Sequence, residues 1–214
     1  MASASSRRMF AIVVGVAALL SSAFAAAETS PDAGVDAVWK PQRLAFEYRG
    51  YSTLYNCGSL KRKLHDILLS IGAREDLRVS SYACDEQSSV ASFEIAFHSP
   101  VQATPENVRA LTSYDSQDEL IARTRGETLP RAEDLPRFPA VWKTVSFARD
   151  RELKLQPGDC ELMQEVRRQI LPRLSVRIVA DRIRCSSAFG NIAPPRLTVS
   201  ALVPASRRAE LVGG

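Results

Sequence analysis

Histidine is nearly absent: His65 and His98 are the only two in 214 residues. Imidazole is the commonest general base and metal ligand, so few such sites can be assembled from this chain. Glycine is also sparse, ten in all. No phosphate-binding Gly-rich loop, G-x-S-x-G elbow or H-E-x-x-H helix occurs. The four cysteines stand at least 25 residues apart, which excludes the C-x-x-C spacing of dithiol redox centres. Charge of one sign is missing too. With Arg7 and Arg8 set aside, 26 basic residues face 24 acidic ones. That near balance does not fit a nucleic-acid-binding surface.

Only one long apolar run exists, at the start. Arg7 and Arg8 form a positive segment, Phe10–Leu20 is uninterruptedly apolar, and Ala23-Phe24-Ala25 and Ala25-Ala26-Ala27 offer small-x-small cleavage sites. This pattern predicts a secretory signal peptide over 1–27. Ser6-Arg7-Arg8-Met9-Phe10 also resembles a twin-arginine export signal, and general secretion is the default because disulfides form outside the reducing cytoplasm. The mature chain is expected in the periplasm or secreted, with no stable membrane span after cleavage. Apolar residues at 45% and charged residues at 24% describe an ordinary globular chain.

The mature part compares with itself. Ala37-Val38-Trp39-Lys40 recurs as Ala140-Val141-Trp142-Lys143, an offset of 103, and the same offset carries Cys57 onto Cys160. Ile67-Leu68 then matches Ile170-Leu171, and Cys84 corresponds to Cys185 after a two-residue deletion. A chance tetrapeptide would not bring a cysteine into register, so the chain reads as an internal repeat. The expected organisation is a first unit at 28–103, a helical and Pro-containing linker at 104–137, a second unit at 138–204 and a flexible tail at 205–214.

Each unit parses as β-α-β-β. In the first, Leu44, Phe46 and Tyr48 alternate with smaller or polar residues, and Tyr51, Thr53 and Tyr55 extend the alternation as strand. Asn56 caps a helix whose stripe is Leu60, Leu64, Ile67, Leu68 and Ile71, ended by Gly72; Asp159 stands at the matching cap position. Strands follow at 77–84 and 91–98. In the second unit the stripe is Leu162, Met163, Val166 and Ile170, with Pro172 ending its helix early, and strands at 176–185 and 197–203. The class is therefore α+β: two tandem β-α-β-β repeats, their mixed or antiparallel sheets packed together or merged.

Four cysteines allow three pairings. In this topology a helix of about 15 residues descends ~22 Å and the next strand climbs back ~25 Å. Cys84 thus returns to the level of Cys57, and Cys160 with Cys185 follows by repetition. Each repeat is expected to hold one disulfide.

Candidates for chemistry are few. His98 is the one possible base for a cell-envelope hydrolase; His65, beside Lys63 and Asp66, reads as solvated. Cys57 and Cys160 at helix starts would have lowered thiol pKa values if reduced, which keeps a thiol-redox or metal-handling role in view, with His98, Asp85 or Glu86 converging on the sulfurs. Nothing in the spacing forms a closed metal site, and no cofactor is implied. Glu133-Asp134 reads as solvated charge. The excess of Arg167, Arg168, Arg173, Arg177, Arg182 and Arg184 in the second unit reads as a solvated face.

The units differ most in tyrosine. Tyr48, Tyr51, Tyr55 and Tyr82 lie in the first, whereas the positions 103 after the first three are Arg151, Lys154 and Gly158. A feature the fold does not need twice is a candidate ligand or partner surface, and amphipathic rings suit peptide or glycan contact. The paired pattern Cys57-Gly-Ser-Leu60 and Gly158-Asp-Cys-Glu-Leu162 resembles exported proteobacterial proteins of unknown function, over about 36–204. That resemblance implies a periplasmic setting and no activity, cofactor or catalytic residue. The expected function is a non-enzymatic envelope module that binds an unknown protein or glycan.

Overall fold

The computed structural model describes residues 34–205 except Glu86, Ser88 and 187–192; the expected signal peptide and the tail from Ser206 lie outside them. Six strands form one antiparallel sheet: β1 (Val35–Arg49), β2 (Arg78–Ala83), β3 (Val90–Gln102), β4 (Arg137–Ser146), β5 (Val176–Arg182) and β6 (Arg196–Pro204), in the order β2-β3-β1-β4-β6-β5. The helices are α1 (Cys57–Ser70), α2 (Pro105–Leu111), α3 (Ser116–Arg125) and α4 (Cys160–Glu165). Both halves run β-α-β-β, and their sheets have merged through β1 and β4. No helix among the described residues is long and apolar enough to cross a membrane.

The seam explains the recurring tetrapeptide. Val35 pairs with Ala140, Asp36 with Pro139 and Ala37 with Phe138. Under the offset of 103, Ala140 is the counterpart of Ala37 and Phe138 that of Val35, while Asp36 meets its own counterpart. The pairing maps onto itself, so a pseudo-twofold axis passes through Asp36 and Pro139. Ala37 and Ala140 are fully buried there with Leu202, and Val35, Phe138 and Trp142 close over them. Larger side chains would hold that cover off the sheet. Trp39 stacks on Phe138 at 4.5 Å between ring centroids, and Arg177 lies over the Trp142 ring at 4.4 Å. Arg177 is thus held on an aromatic face rather than merely solvated.

Period-two burial along β1 and β3 sends Leu44, Phe46, Tyr48, Phe93, Ile95 and Phe97 to the helix side of the sheet. Leu60, Leu64, Ile67 and Leu68 of α1 and Ile71 at its C-cap meet them, as do Leu162, Met163, Val166 and Ile170 from the second half, in one core spanning both halves. Asn56 Oδ1 accepts hydrogen bonds from Gly58 N and Ser59 N, so α1 starts where its cap requires. It ends at Ser70 with Ile71 as its C-cap, and Gly72 turns the chain away with φ of 94°; a Cβ there would stand 2.6 Å from the Leu202 carbonyl oxygen. The second helix is shorter, as Pro172 demands. After Glu165 the chain makes a wide π turn (Val166–Ile170) and a 3-10 turn (Leu171–Arg173).

Both disulfides form as the repeat geometry requires, Cys57–Cys84 and Cys160–Cys185, and no cysteine is free. Each links a helix start to the chain just beyond the first of the two closing strands.

Two expectations need correction. Tyr51, Thr53 and Tyr55 do not prolong β1, because the strand ends at Arg49 and the chain turns at Gly50. Gly50 N donates to Ser89 O, and a Cβ at Gly50 would collide with the Tyr48 ring and hydroxyl. Asp159 does not cap α4 as Asn56 caps α1. Its carboxylate faces the first half instead.

Candidate interaction surface

Two carboxylates of the second half are nearly sealed from solvent: Asp159 is 2% exposed and Glu161 is 6% exposed. A buried carboxylate must find partners, and both find most of theirs in the first half. Asp159 accepts hydrogen bonds from the Tyr55 hydroxyl and, at 2.6 Å, from Gln156 N; it pairs with Lys63 Nζ at 2.7 Å. Glu161 accepts from Tyr51 N at 3.0 Å, Ser52 N at 3.1 Å and Ser52 Oγ at 3.1 Å. The Tyr48 hydroxyl donates to Thr53 O at 2.7 Å, and its ring meets Tyr55 edge-on at 5.0 Å. Residues 50–55 are thereby fastened by backbone and side chain to the other half.

The four candidate tyrosines therefore split. Tyr48 and Tyr55 are buried, so they form no surface; they belong to the core and to this clamp. Burial pushes both hydroxyls well above the ordinary phenol range, helped by the Glu161 and Asp159 charges at Tyr48 and by the hydrogen bond to Asp159 at Tyr55. Since the folded state holds these protons more tightly, their stabilisation is complete below the ordinary phenol range and declines as pH rises through it. In alkaline titration followed by near-ultraviolet absorbance, Tyr48 and Tyr55 are expected to ionise only together with unfolding. A smooth titration of all five tyrosines in folded protein would count against their burial.

Tyr51 and Tyr82 are instead exposed, at 88% and 67%, and Leu54 of the same loop as Tyr51 is 60% exposed. Cys57–Cys84 joins the end of this loop to the chain just after Tyr82. The hydrogen bond from Gly50 N to Ser89 O ties the loop's start to the β2–β3 connection. One end of the first half thus carries a rim of exposed apolar side chains on backbone fixed by a disulfide and by buried charge.

His98 lies elsewhere, on the opposite face of the sheet from the core. Its Nδ1 is 3.3 Å from Asp76 Oδ2 and 2.9 Å from Arg74 Nη2, and Arg74 also binds Asp76 and lies over Trp39 at 5.7 Å. The Arg74 hydrogen bond, with the nearby His98, holds the Asp76 carboxyl down to about 2. Beside it, Ser99 Oγ is turned to the core side, where it accepts from Gln42 Nε2 at 3.2 Å. No hydroxyl or thiol is hydrogen-bonded to His98 among the described residues, so the cluster reads as an ion network around one imidazole. His65 pairs with Asp66 at 3.3 Å. Asp134 accepts from Arg131 N, Glu133 lies 4.0 Å from Arg131, and Glu86 falls outside the described residues. Among the described residues no three His, Cys, Asp or Glu side chains gather as a metal site. With both cysteine pairs closed, thiol chemistry would first require opening them.

The clamp was not visible in the sequence. Asp159 and Glu161 look like ordinary first-turn residues, and the one hint was Asp159 at the position of Asn56. No protein-family model, curated protein or solved structure matches the chain.

Proposed function

We propose that the chain is an exported, non-enzymatic interaction module of the cell envelope, which holds a protein or glycan partner through the rim of Tyr51, Leu54 and Tyr82. Its two disulfides are consistent with an extracytoplasmic setting. One observation carries the reading. The loop bearing Tyr51 and Leu54 is anchored by Glu161 and the Tyr55–Asp159 contact, yet its apolar side chains face water. Ordering a loop normally opposes binding, and here that ordering is already complete before any partner arrives. Rigid tyrosines on such a loop supply contact area at low entropic cost.

Joint substitution Tyr51→Ala, Leu54→Ala and Tyr82→Ala touches only exposed side chains and should leave the melting temperature nearly unchanged. Retention of the mature protein on isolated envelopes is expected to fall roughly tenfold. Unchanged retention of a folded triple variant would remove the rim from consideration.

A further inference from the structure

We infer that the groove between α1 and the edge strand β2 docks an extended acidic peptide segment, which adds to the sheet as a seventh strand. This rests on reading the chain as an interaction module, and it names the form of the partner. β2 lies at one edge of the sheet, with β3 on one side and no strand among the described residues on the other. It pairs in regular register from Arg78 to Ser81 before slipping at Tyr82. Edge strands are commonly protected by charge, proline or a covering element. After Arg78, this one presents Val79, Ser80 and Ser81, none of which blocks a further strand.

The groove beside it has a volume of about 500 Å³. Its floor is apolar, from the buried Leu77 and Val79. Lys61 and Arg62 of α1 and Arg78 of β2 form the walls, with His65 at the helix side and no carboxylate among the lining residues. Lys61, Arg62 and Arg78 take part in no ion pair among the described residues, in contrast to Lys63, which Asp159 holds, and Arg74, which Asp76 holds. The opposite edge differs. There Asp181 of β5 is paired with Arg167, and Arg177 is drawn onto Trp142.

Side chains of an added strand alternate between the two sheet faces. Those on the helix face would meet Lys61 and Arg62, so carboxylates at every second position complement the groove. Open backbone groups along Arg78–Ser81 select a polypeptide over an anionic lipid or polysaccharide, because only a peptide main chain matches them in register.

The test is fluorescence anisotropy with the mature protein and a fluorescein-labelled probe, Thr-Glu-Val-Glu-Val-Glu-Thr. Saturable binding is expected, weakened roughly tenfold by Lys61→Glu with Arg62→Glu, both exposed positions. The same probe N-methylated at alternate backbone nitrogens should lose binding, because it keeps its charge and cannot pair as a strand. Equal binding by the N-methylated probe, by polyphosphate or by phosphatidylglycerol vesicles would overturn the proposal in favour of charge alone. So would an absence of saturable binding, or indifference to the double charge reversal. These results are separable from the rim. Probe binding that survives Lys61→Glu/Arg62→Glu sinks the groove and leaves the rim standing, whereas unchanged retention of the rim variant with intact probe binding does the reverse.

Discussion

Asp159→Ala is expected to destabilise the protein by about 3–5 kcal/mol, a large share of what a domain of this size possesses. The substitution removes more than a carboxylate carbon and two oxygens. Lys63 Nζ, whose side chain is 21% exposed, loses its counter-charge, the Tyr55 hydroxyl loses its acceptor inside the core, and Gln156 N loses its acceptor as well. A donor or charge left buried and unpaired costs far more than the pair itself contributes. Urea unfolding with the disulfides intact measures the loss. The double variant Asp159→Leu with Lys63→Met is expected to recover most of it, since it removes both charges at once. A loss below about 1 kcal/mol for Asp159→Ala would mean that the carboxylate reaches water, contrary to its burial.

Each disulfide should contribute about 3 kcal/mol through the chain entropy of its closed loop, with sequence separations of 27 and 25. The two are nevertheless expected to be unequal. Cys160 is 2% exposed and is part of the buried core, whereas Cys57 is only half-buried. Cys160→Ala with Cys185→Ala should therefore lower the melting temperature more than Cys57→Ala with Cys84→Ala. The lesser effect is expected near 6–12 °C, from about 2–4 °C per kcal/mol for a chain of this length. Removing all four should leave little cooperative unfolding at 37 °C. Equal melting of reduced and oxidised protein would contradict this account.

Much of the architecture was legible because it is local or repeated. The 103-residue offset carried Trp39 onto Trp142 and Cys57 onto Cys160, and with them came the disulfides and, unrecognised, the seam at Asp36 and Pro139. Alternation placed β3, and the 3.6-residue stripe placed α1, because both patterns are dictated by which face meets the core. What escaped was non-local. Tyr51, Thr53 and Tyr55 alternate as a strand would, and only Gly50 hints that the chain turns; the residue that fixes the turn, Glu161, is 110 positions away. Period-two spacing cannot distinguish a strand from a loop whose alternate residues are drawn to a distant partner. Asp159 misled for the same reason. Its place at a helix start suggested a cap, and its role became visible only once Lys63 and Tyr55 were known to face it. The tyrosines were read as one group, whereas folding divides them between core and rim.

Cysteine pairing here follows chain order: first with second, third with fourth. Of the three pairings available, this one asks nothing of a cysteine not yet made. A chain oxidised from its amino end as it emerges closes Cys57–Cys84 before Cys160 is present to compete, and then closes Cys160–Cys185 with no other thiol left. Correct bonding during biogenesis thus requires an oxidant alone, without the slow reshuffling that crossed or nested pairings demand. Refolding of the fully reduced chain begins with all four thiols at once, and there the wrong partners become accessible.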